Sequence, residues 1–140
     1  TLSRSSAASD VYKRQVMGPW ILTKHAWKYL SLSNSARIIV LVSMSGKRSK
    51  GNLCGYSMSK FALMSLCQTM RNEGWGNGIR VTAICPGWVN TDMAKEIKHY
   101  PKKDMSQAND IASICSNLLT LPNSSIPFEI ALNCQLETNI

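Results

Sequence analysis

Two short runs of apolar, β-branched residues constrain the fold of this 140-residue chain more than any other feature. Arg37 to Val42 (RIIVLV) and Ile79 to Cys85 (IRVTAIC) are nearly continuous apolar runs, which are typical of strands buried on both faces. Glu129 to Cys134 (EIALNC) is predicted as a last strand. Segments with helical patterns separate the three runs, and strands that alternate with helices indicate a parallel sheet with helices on its faces.

Four segments outside these strands carry helical patterns. Gly18 to Leu32 repeats its apolar residues at helical spacing, and Tyr56 to Trp75 has an apolar interior that ends at a cluster of glycines. Asp92 to Lys98 predicts a short helix. Ser106 is placed to cap a further helix over Gln107 to Leu121. We therefore expect an α/β fold with a doubly wound parallel sheet of about three strands.

Composition narrows the classes of function. Lys and Arg total 16 against 8 Asp and Glu, a formal net charge of +8, but these residues are scattered and not interleaved with aromatics. This pattern favours a solvated surface over a nucleic-acid groove. No apolar run approaches the roughly 18 residues of a membrane span. Five widely spaced cysteines without a C-x-x-C pair indicate neither zinc nor a disulfide framework, and they favour a reducing, cytoplasmic setting.

The first fifteen residues differ from the remainder. Residues 1–15 (TLSRSSAASDVYKRQ) have no apolar period and lack the apolar core of a signal peptide. They resemble a translated sequencing-adapter segment of the kind found at the ends of transcriptome-derived proteins. On this interpretation residues 1–15 are not native, and residues 16–140 form part of a single domain. A native disordered arm is the alternative.

The residues that can carry chemistry follow the predicted strands. Tyr56 and Lys60 lie four residues apart at the start of a helix, so they share one face. A nearby cation favours the phenolate over the phenol, which makes Tyr56 a candidate general acid or base. Ser43 follows the first strand, thirteen residues before Tyr56, with Gly46 three residues later. The turn at 86–91 (PGWVNT) follows the second strand.

Three motifs in this order, S-x-x-G, Y-x-x-x-K and P-G-x-x-x-T, resemble the short-chain dehydrogenase/reductase family. The resemblance spans about residues 16–136 and implies a Rossmann-like fold that binds NAD or NADP. It implies an oxidoreductase that interconverts a small carbonyl compound and an alcohol by hydride transfer. It also implies a homo-oligomer that pairs through the helices at 18–32 and 56–74.

The resemblance assigns roles residue by residue. Ser43 would hold the substrate oxygen, and Tyr56 would act as the general acid or base. Lys60 would hold the nicotinamide ribose and assist Tyr56, so both also belong to the cofactor site. The residues of the turn that are expected to contact the nicotinamide are Pro86, Gly87, Val89 and Thr91.

The chain departs from the family's pattern at its start. It contains no glycine-rich T-G-x-x-x-G-x-G turn, no N-A-G segment and no acidic or basic residue that would select NAD or NADP. It therefore resembles the C-terminal catalytic half of such an enzyme, and we expect the chain alone to be inactive. The slot of the family's catalytic asparagine, 28 residues before Ser43, falls on Gln15, to which no catalytic role is assigned.

Other residues near the motifs have alternative interpretations. Lys47, Arg48 and Lys50 lie between the serine and the tyrosine and are interpreted as a solvated loop, with attraction of an acidic substrate as the alternative. Trp88 and Met93 lie where relatives carry a substrate lid, so we expect them to contact substrate.

Two other functions stay open at this level. One is a catalytically silent scaffold of the same fold, which has no need for the complete set of Ser43, Tyr56 and Lys60. The other is a small basic nucleic-acid-binding protein, which no motif supports. Nucleic-acid binding that strengthens at low salt would support the second, and a lack of any binding would remove it.

Overall fold

A computed structural model describes residues 10–49, 51, 53–95, 97–98, 100–135 and 137 of the chain. In this part of the chain the α-helices are α1 (Gly18–Leu32), α2 (Cys54–Gly74) and α3 (Ala108–Thr120). The strands are β1 (Arg37–Leu41), β2 (Arg80–Pro86), β3 (Val89–Asn90), β4 (Ser106–Gln107) and β5 (Glu129–Leu132).

Three parallel strands form the main sheet, in the order β1-β2-β5. The central strand β2 has Ile84 opposite Leu41 on one side and opposite Ile130 on the other. β3 and β4 form a separate two-residue parallel pair. The predicted α/β fold, a partial doubly wound parallel sheet, is confirmed.

Helices cover both faces of this sheet. Neighbouring side chains of a strand point to opposite faces, so each strand presents apolar side chains to both layers of helices. On one face Ile38, Val40, Val81, Ala83 and Cys85 pack with buried residues of α2. On the other face Ile39 and Ile84 pack with Ile111 and Leu118 of α3. Burial on both sides explains why the strand segments are nearly continuous apolar runs.

Two details of the predicted elements were wrong. The predicted helix at 92–98 is a single 3₁₀ turn, Asp92–Ala94, in which the N–H of Ala94 bonds to Thr91 O. Ser106 does not cap α3, because its N–H bonds to Trp88 O in the β3–β4 pair. Gln107 is the cap, and it exchanges side-chain and backbone hydrogen bonds with Asp110.

The amino-terminal helix has an unusual start and an exposed surface. A π-helical segment, Lys13–Met17, leads directly into α1, whereas residues 1–9 lie outside the described part of the chain. None of the residues of α1 is buried. Its large exposed apolar side chains are Trp20, Ile21, Leu22, Tyr29 and Leu32. Within the described ranges, no helix combines the length and the apolar character needed to cross a bilayer.

Truncation of Ile84 tests whether the face of β2 under α3 carries stability. Ile84 is fully buried, so Ile84→Ala should lower the free energy of unfolding by about 2–5 kcal/mol. Leu119 on α3 is 61% exposed, and truncation to Ala there should change the free energy of unfolding by less than about 0.5 kcal/mol. Urea denaturation followed by circular dichroism measures both. Equal effects of the two substitutions would contradict the assigned packing.

Candidate active site

The predicted site residues meet at one edge of the sheet. β1 and β2 are parallel and end there, and α2 begins there, so Ser43, the turn after Pro86 and Tyr56 come together. All three line a cavity of about 540 Å³. Most of the other lining residues are apolar, among them Leu41, Val42, Met44, Leu53, Met93, Ala94, Ala108 and Ile111. Small-molecule sites commonly have this character, an apolar cavity with a few converging polar groups.

Ser43 lies in extended backbone directly after β1. Its Oγ accepts a hydrogen bond from the N–H of Ser45 at 3.0 Å, which fixes the rotamer. The hydroxyl donates to Pro86 O across a longer distance of 3.5 Å. A bond of that length is weak, so the hydroxyl proton can turn to a ligand oxygen in the cavity.

Lys60 lies behind Tyr56 as seen from the cavity. The lysine is only 8% exposed, and its Nζ donates to Leu41 O at 3.2 Å. Nζ also lies 5.6 Å from the centroid of the half-buried Tyr56 ring. Burial lowers the pKa of Lys60, while the nearby thiols of Cys85 and Cys67 act in the opposite direction. The two predicted partners are therefore adjacent.

The two buried thiols beside Lys60 are core residues. Burial, with a smaller contribution from the nearby Cys85, raises the pKa of the Cys67 thiol to about 12. Burial also raises the pKa of Cys85. Both side chains therefore stay protonated near neutral pH, and a protonated thiol is neither a nucleophile nor a metal ligand.

Gly46 permits the loop after Ser43 to approach α2. A Cβ at this position would lie 2.7 Å from Val42 Cγ1 and 2.8 Å from the backbone oxygen of Lys60. The N–H of Gly46 bonds to Ser43 O at 2.9 Å and closes the turn. The glycine of the S-x-x-G motif is therefore a packing requirement that lets the loop after Ser43 lie against α2.

The turn after β2 is held from both sides. The N–H of Gly87 donates to Leu132 O at 2.7 Å, and Trp88 O accepts from the N–H of Ser106 at 3.1 Å. Val89 and Thr91 line the cavity, as do the predicted lid residues Trp88 and Met93. The predicted members of the turn thus surround the same space as Ser43 and Tyr56.

Two charged residues lie in the cavity wall. Arg48 was interpreted above as part of a solvated loop, with attraction of an acidic substrate as the alternative, whereas no motif pointed to Glu137. Arg48 Nη2 lies 3.4 Å from Oε1 of Glu137, and both residues line the cavity. The side chains are 24% and 8% exposed, so the solvated interpretation was wrong for Arg48. Lys47 pairs with Glu129, and Lys50 lies outside the described residues. No signal in the sequence links Arg48 to a carboxylate 89 positions away.

Gln15 lies in the π-helical segment Lys13–Met17. Its Oε1 is buried and has no hydrogen-bond partner among the described residues. Short π-helical segments occur often at functional sites. The sequence alone predicts no role for Gln15.

Substitution of Gly46 tests the close approach of the serine loop to α2. Gly46→Ala should lower the free energy of unfolding by about 1–3 kcal/mol, because Val42 or α2 must move. Gly76→Ala is the matched control, since a Cβ there meets nothing within 4 Å. Urea denaturation of both variants measures the difference. A Gly46→Ala chain as stable as the Gly76→Ala chain would rule out the tight contact.

Comparison with known proteins places this geometry in a family. Residues 2–102 match the sequence model of the family described as short chain dehydrogenase. The agropine synthesis reductase of Rhizobium rhizogenes is 34% identical over 122 residues, which cover 87% of this chain and 28% of the relative.

Solved structures agree with the fold. A beta-ketoacyl-ACP reductase (FabG) from Bacteroides thetaiotaomicron superposes with a TM-score of 0.75 and 26% identity, over 91% of this chain and 53% of that one. An alcohol dehydrogenase from Thermococcus sibiricus, complexed with 5-hydroxy-NADP, gives 0.84 and 21%, over 97% and 57%. The chain thus spans just over half the length of these structures and about a quarter of the curated relative. It belongs to the short-chain dehydrogenase family.

Proposed function

We propose that this chain carries the catalytic half of an NAD(P)-dependent oxidoreductase that interconverts a carbonyl compound and an alcohol. The observation that supports it is the convergence of Ser43, Tyr56 and the Pro-Gly turn on one apolar cavity, with Lys60 buried behind the tyrosine. Relatives whose names describe them as a reductase and an alcohol dehydrogenase support the same reaction class.

The residues present fit the nicotinamide end of such a cofactor. Lys60 has three N–H donors, and one of them bonds to Leu41 O, so donors remain for ribose hydroxyls. Val89 and Thr91 line the cavity beside Tyr56. The hydroxyl of Thr91 makes a long 3.5 Å contact with Val89 O, which a carboxamide can replace. When bound, the nicotinamide supplies or accepts the hydride of the reaction.

In the proposed mechanism the phenol and the serine hydroxyl act on one substrate oxygen. The hydroxyl of Ser43 donates a hydrogen bond to the carbonyl oxygen and fixes its position. Tyr56 then donates its proton to the oxygen as negative charge develops there during reduction. In the oxidative direction the phenolate of Tyr56 removes the proton from the alcohol. Each proton moves between the phenol and the oxygen that Ser43 holds.

Lys60 supports this proton transfer through its charge. Its ammonium lies close to the Tyr56 ring and is shielded from water, so its electrostatic effect on the phenolate is stronger than at a surface. Because the same group would hold the ribose hydroxyls, Lys60 would link the position of the cofactor to the proton transfer at Tyr56. It therefore serves both the acid-base step and cofactor binding.

The proposal includes a cytoplasmic setting and a homo-oligomer. All five cysteines are free thiols, which suits a reducing compartment. The exposed apolar side chains of α1, together with Met58 and Phe61 on α2, give these two helices a surface suited to a second copy.

Removal of the phenol hydroxyl tests the role of Tyr56 in the reductase that carries this chain. Tyr56→Phe should lower turnover by about 10²- to 10⁴-fold while cofactor affinity stays nearly unchanged, because the ring still packs. Tyr29→Phe on the exposed face of α1 is the matched control and should retain full turnover. NADPH and NADH oxidation with a panel of carbonyl compounds measures both. Turnover of Tyr56→Phe near that of the control would refute the acid-base role.

A second experiment addresses the proposed inactivity of the chain alone. The chain contains no glycine-rich turn for the pyrophosphate, and β1 pairs with β2 on one side only among the described strands. Calorimetric titration of residues 16–140 with NADPH and NADH should therefore show no micromolar binding. Near-ultraviolet circular dichroism reports the tertiary packing of the same sample. Micromolar affinity together with a cooperative thermal transition would show that the chain is self-sufficient.

A further inference from the structure

We propose that Arg48 and the backbone N–H of Trp88 bind a carboxylate of the substrate, so that the enzyme acts on carbonyl or alcohol compounds that carry an acidic group. This inference rests on the proposed function, because it concerns the cavity that holds Ser43 and Tyr56. It addresses substrate identity, which a fold does not determine.

A carboxylate of the chain itself occupies this position. Glu137 Oε2 accepts a hydrogen bond from the N–H of Trp88 at 3.0 Å, and Oε1 lies 3.4 Å from Arg48 Nη2. The thiol of Cys134 lies 3.6 Å from the same Oε2. The guanidinium is within ion-pair distance of one carboxylate oxygen, and the N–H of Trp88 donates to the other. The donors around Glu137 are thus already arranged around a carboxylate.

The absence of a side chain at Gly87 creates the space for this group. A Cβ built on Gly87 would overlap the carboxyl group of Glu137. Glycine is the residue that lets a ligand approach the backbone this closely. The position is therefore shaped by the turn as well as by the charge of Arg48, and it adjoins Val89 and Thr91, which are proposed for the cofactor.

The balance of charge in the cavity favours an anion. Among the described lining residues, Arg48 and Glu137 carry formal charges, and most of the others are apolar. If a ligand displaces Glu137, the cavity wall keeps one positive charge in surroundings of low polarity. A neutral ligand would then take the place of the Glu137 carboxylate without matching the charge of the guanidinium. A carboxylate on the ligand restores the pair.

Two separated polar regions would orient such a substrate. Ser43 and Tyr56 would hold the reacting oxygen, and Arg48 with the Trp88 N–H would hold the carboxylate. Holding a substrate at two points favours one reactive orientation. Glu137 competes with the substrate for the second point. Because it is tethered, its effective concentration is about millimolar or higher, so weak external anions compete poorly.

Calorimetric titration of the 140-residue chain with succinate, in the absence of cofactor, tests this proposal. Glu137→Gln should tighten succinate binding by about tenfold, because the competing charge is gone while Arg48 remains. Adding Arg48→Gln to this variant should remove the gain. Succinamide, a neutral analogue of similar size, should bind weakly to every variant. Lys24→Gln, at an exposed lysine of α1, is the control for loss of one positive charge and should have no effect.

A second substitution locates the site without a further change in charge relative to the Glu137→Gln chain. Gly87→Ala, combined with Glu137→Gln, should abolish succinate binding because the new Cβ fills the carboxylate position.

If Arg48→Gln loses the near-ultraviolet circular dichroism of the unmodified chain, Arg48→Lys takes its place. The lysine keeps the charge but lacks the guanidinium fork, so succinate should bind it less tightly than Arg48.

Several outcomes would overturn the inference. These are equal succinate affinity with and without Arg48, equal affinity for succinamide, and no measurable binding to the Glu137→Gln chain. None of them bears on the acid-base role of Tyr56, which is measured by turnover in the reductase. Failure of the substrate class and failure of the proposed reaction are therefore distinguishable.

Discussion

The parallel pairing of β1 with β2 determines where the residues of the candidate active site come together. Leu41 lies opposite Ile84, and one residue later the N–H of Val42 still bonds to Ile84 O at 2.8 Å. The two strands therefore leave the sheet side by side, which brings the hydroxyl of Ser43 to Pro86 O. A slip of one residue would turn the side chains of a strand to the opposite face. The same register thus fixes both the core and the site.

Burial of Lys60 is the main electrostatic cost of this arrangement. An ammonium loses most of its hydration when only 8% of the residue is exposed, and its lowered pKa reflects that loss. The unfolded chain then binds more protons than the folded chain between the lowered pKa and the ordinary value of lysine. Through this group, stability rises with pH in that interval and is lower below it. The carbonyl of Leu41 offsets part of the cost.

Local patterns were enough to predict most of the fold and to single out residues that the structure brings together around one cavity. α1 begins and ends where its apolar spacing indicated, at Gly18 and Leu32, and the strands differ from prediction by one or two residues. Burial on both faces makes such strands conspicuous in the sequence. Ser43 and Tyr56 were identifiable because their motifs also set packing, as the tight contact of Gly46 with Lys60 shows.

Contacts between distant segments were not predictable in the same way. Gln107 caps α3 instead of Ser106 because the short β3–β4 pair uses the backbone of Ser106. No local sequence pattern predicts a parallel strand pair of only two residues. The contact of Arg48 with Glu137 likewise joins the loop after β1 to the segment after β5. Charge and composition predicted a solvated position for Arg48, because they carry no information about the carboxylate of Glu137.

The contacts of the loop after Ser43 differ in strength, and this difference indicates which of them hold the loop in place. Lys47–Glu129 is a partly exposed ion pair, which contributes at most about 1 kcal/mol and is screened by salt. Arg48–Glu137 is more buried, and at such pairs the cost of desolvation largely cancels the attraction. The close packing of Gly46 against Val42 and α2 needs no charge and tolerates no added atom. Packing therefore holds Ser43 in place, so the proposed exchange of the Glu137 carboxylate for a substrate carboxylate would leave the arrangement of Ser43 and Tyr56 intact.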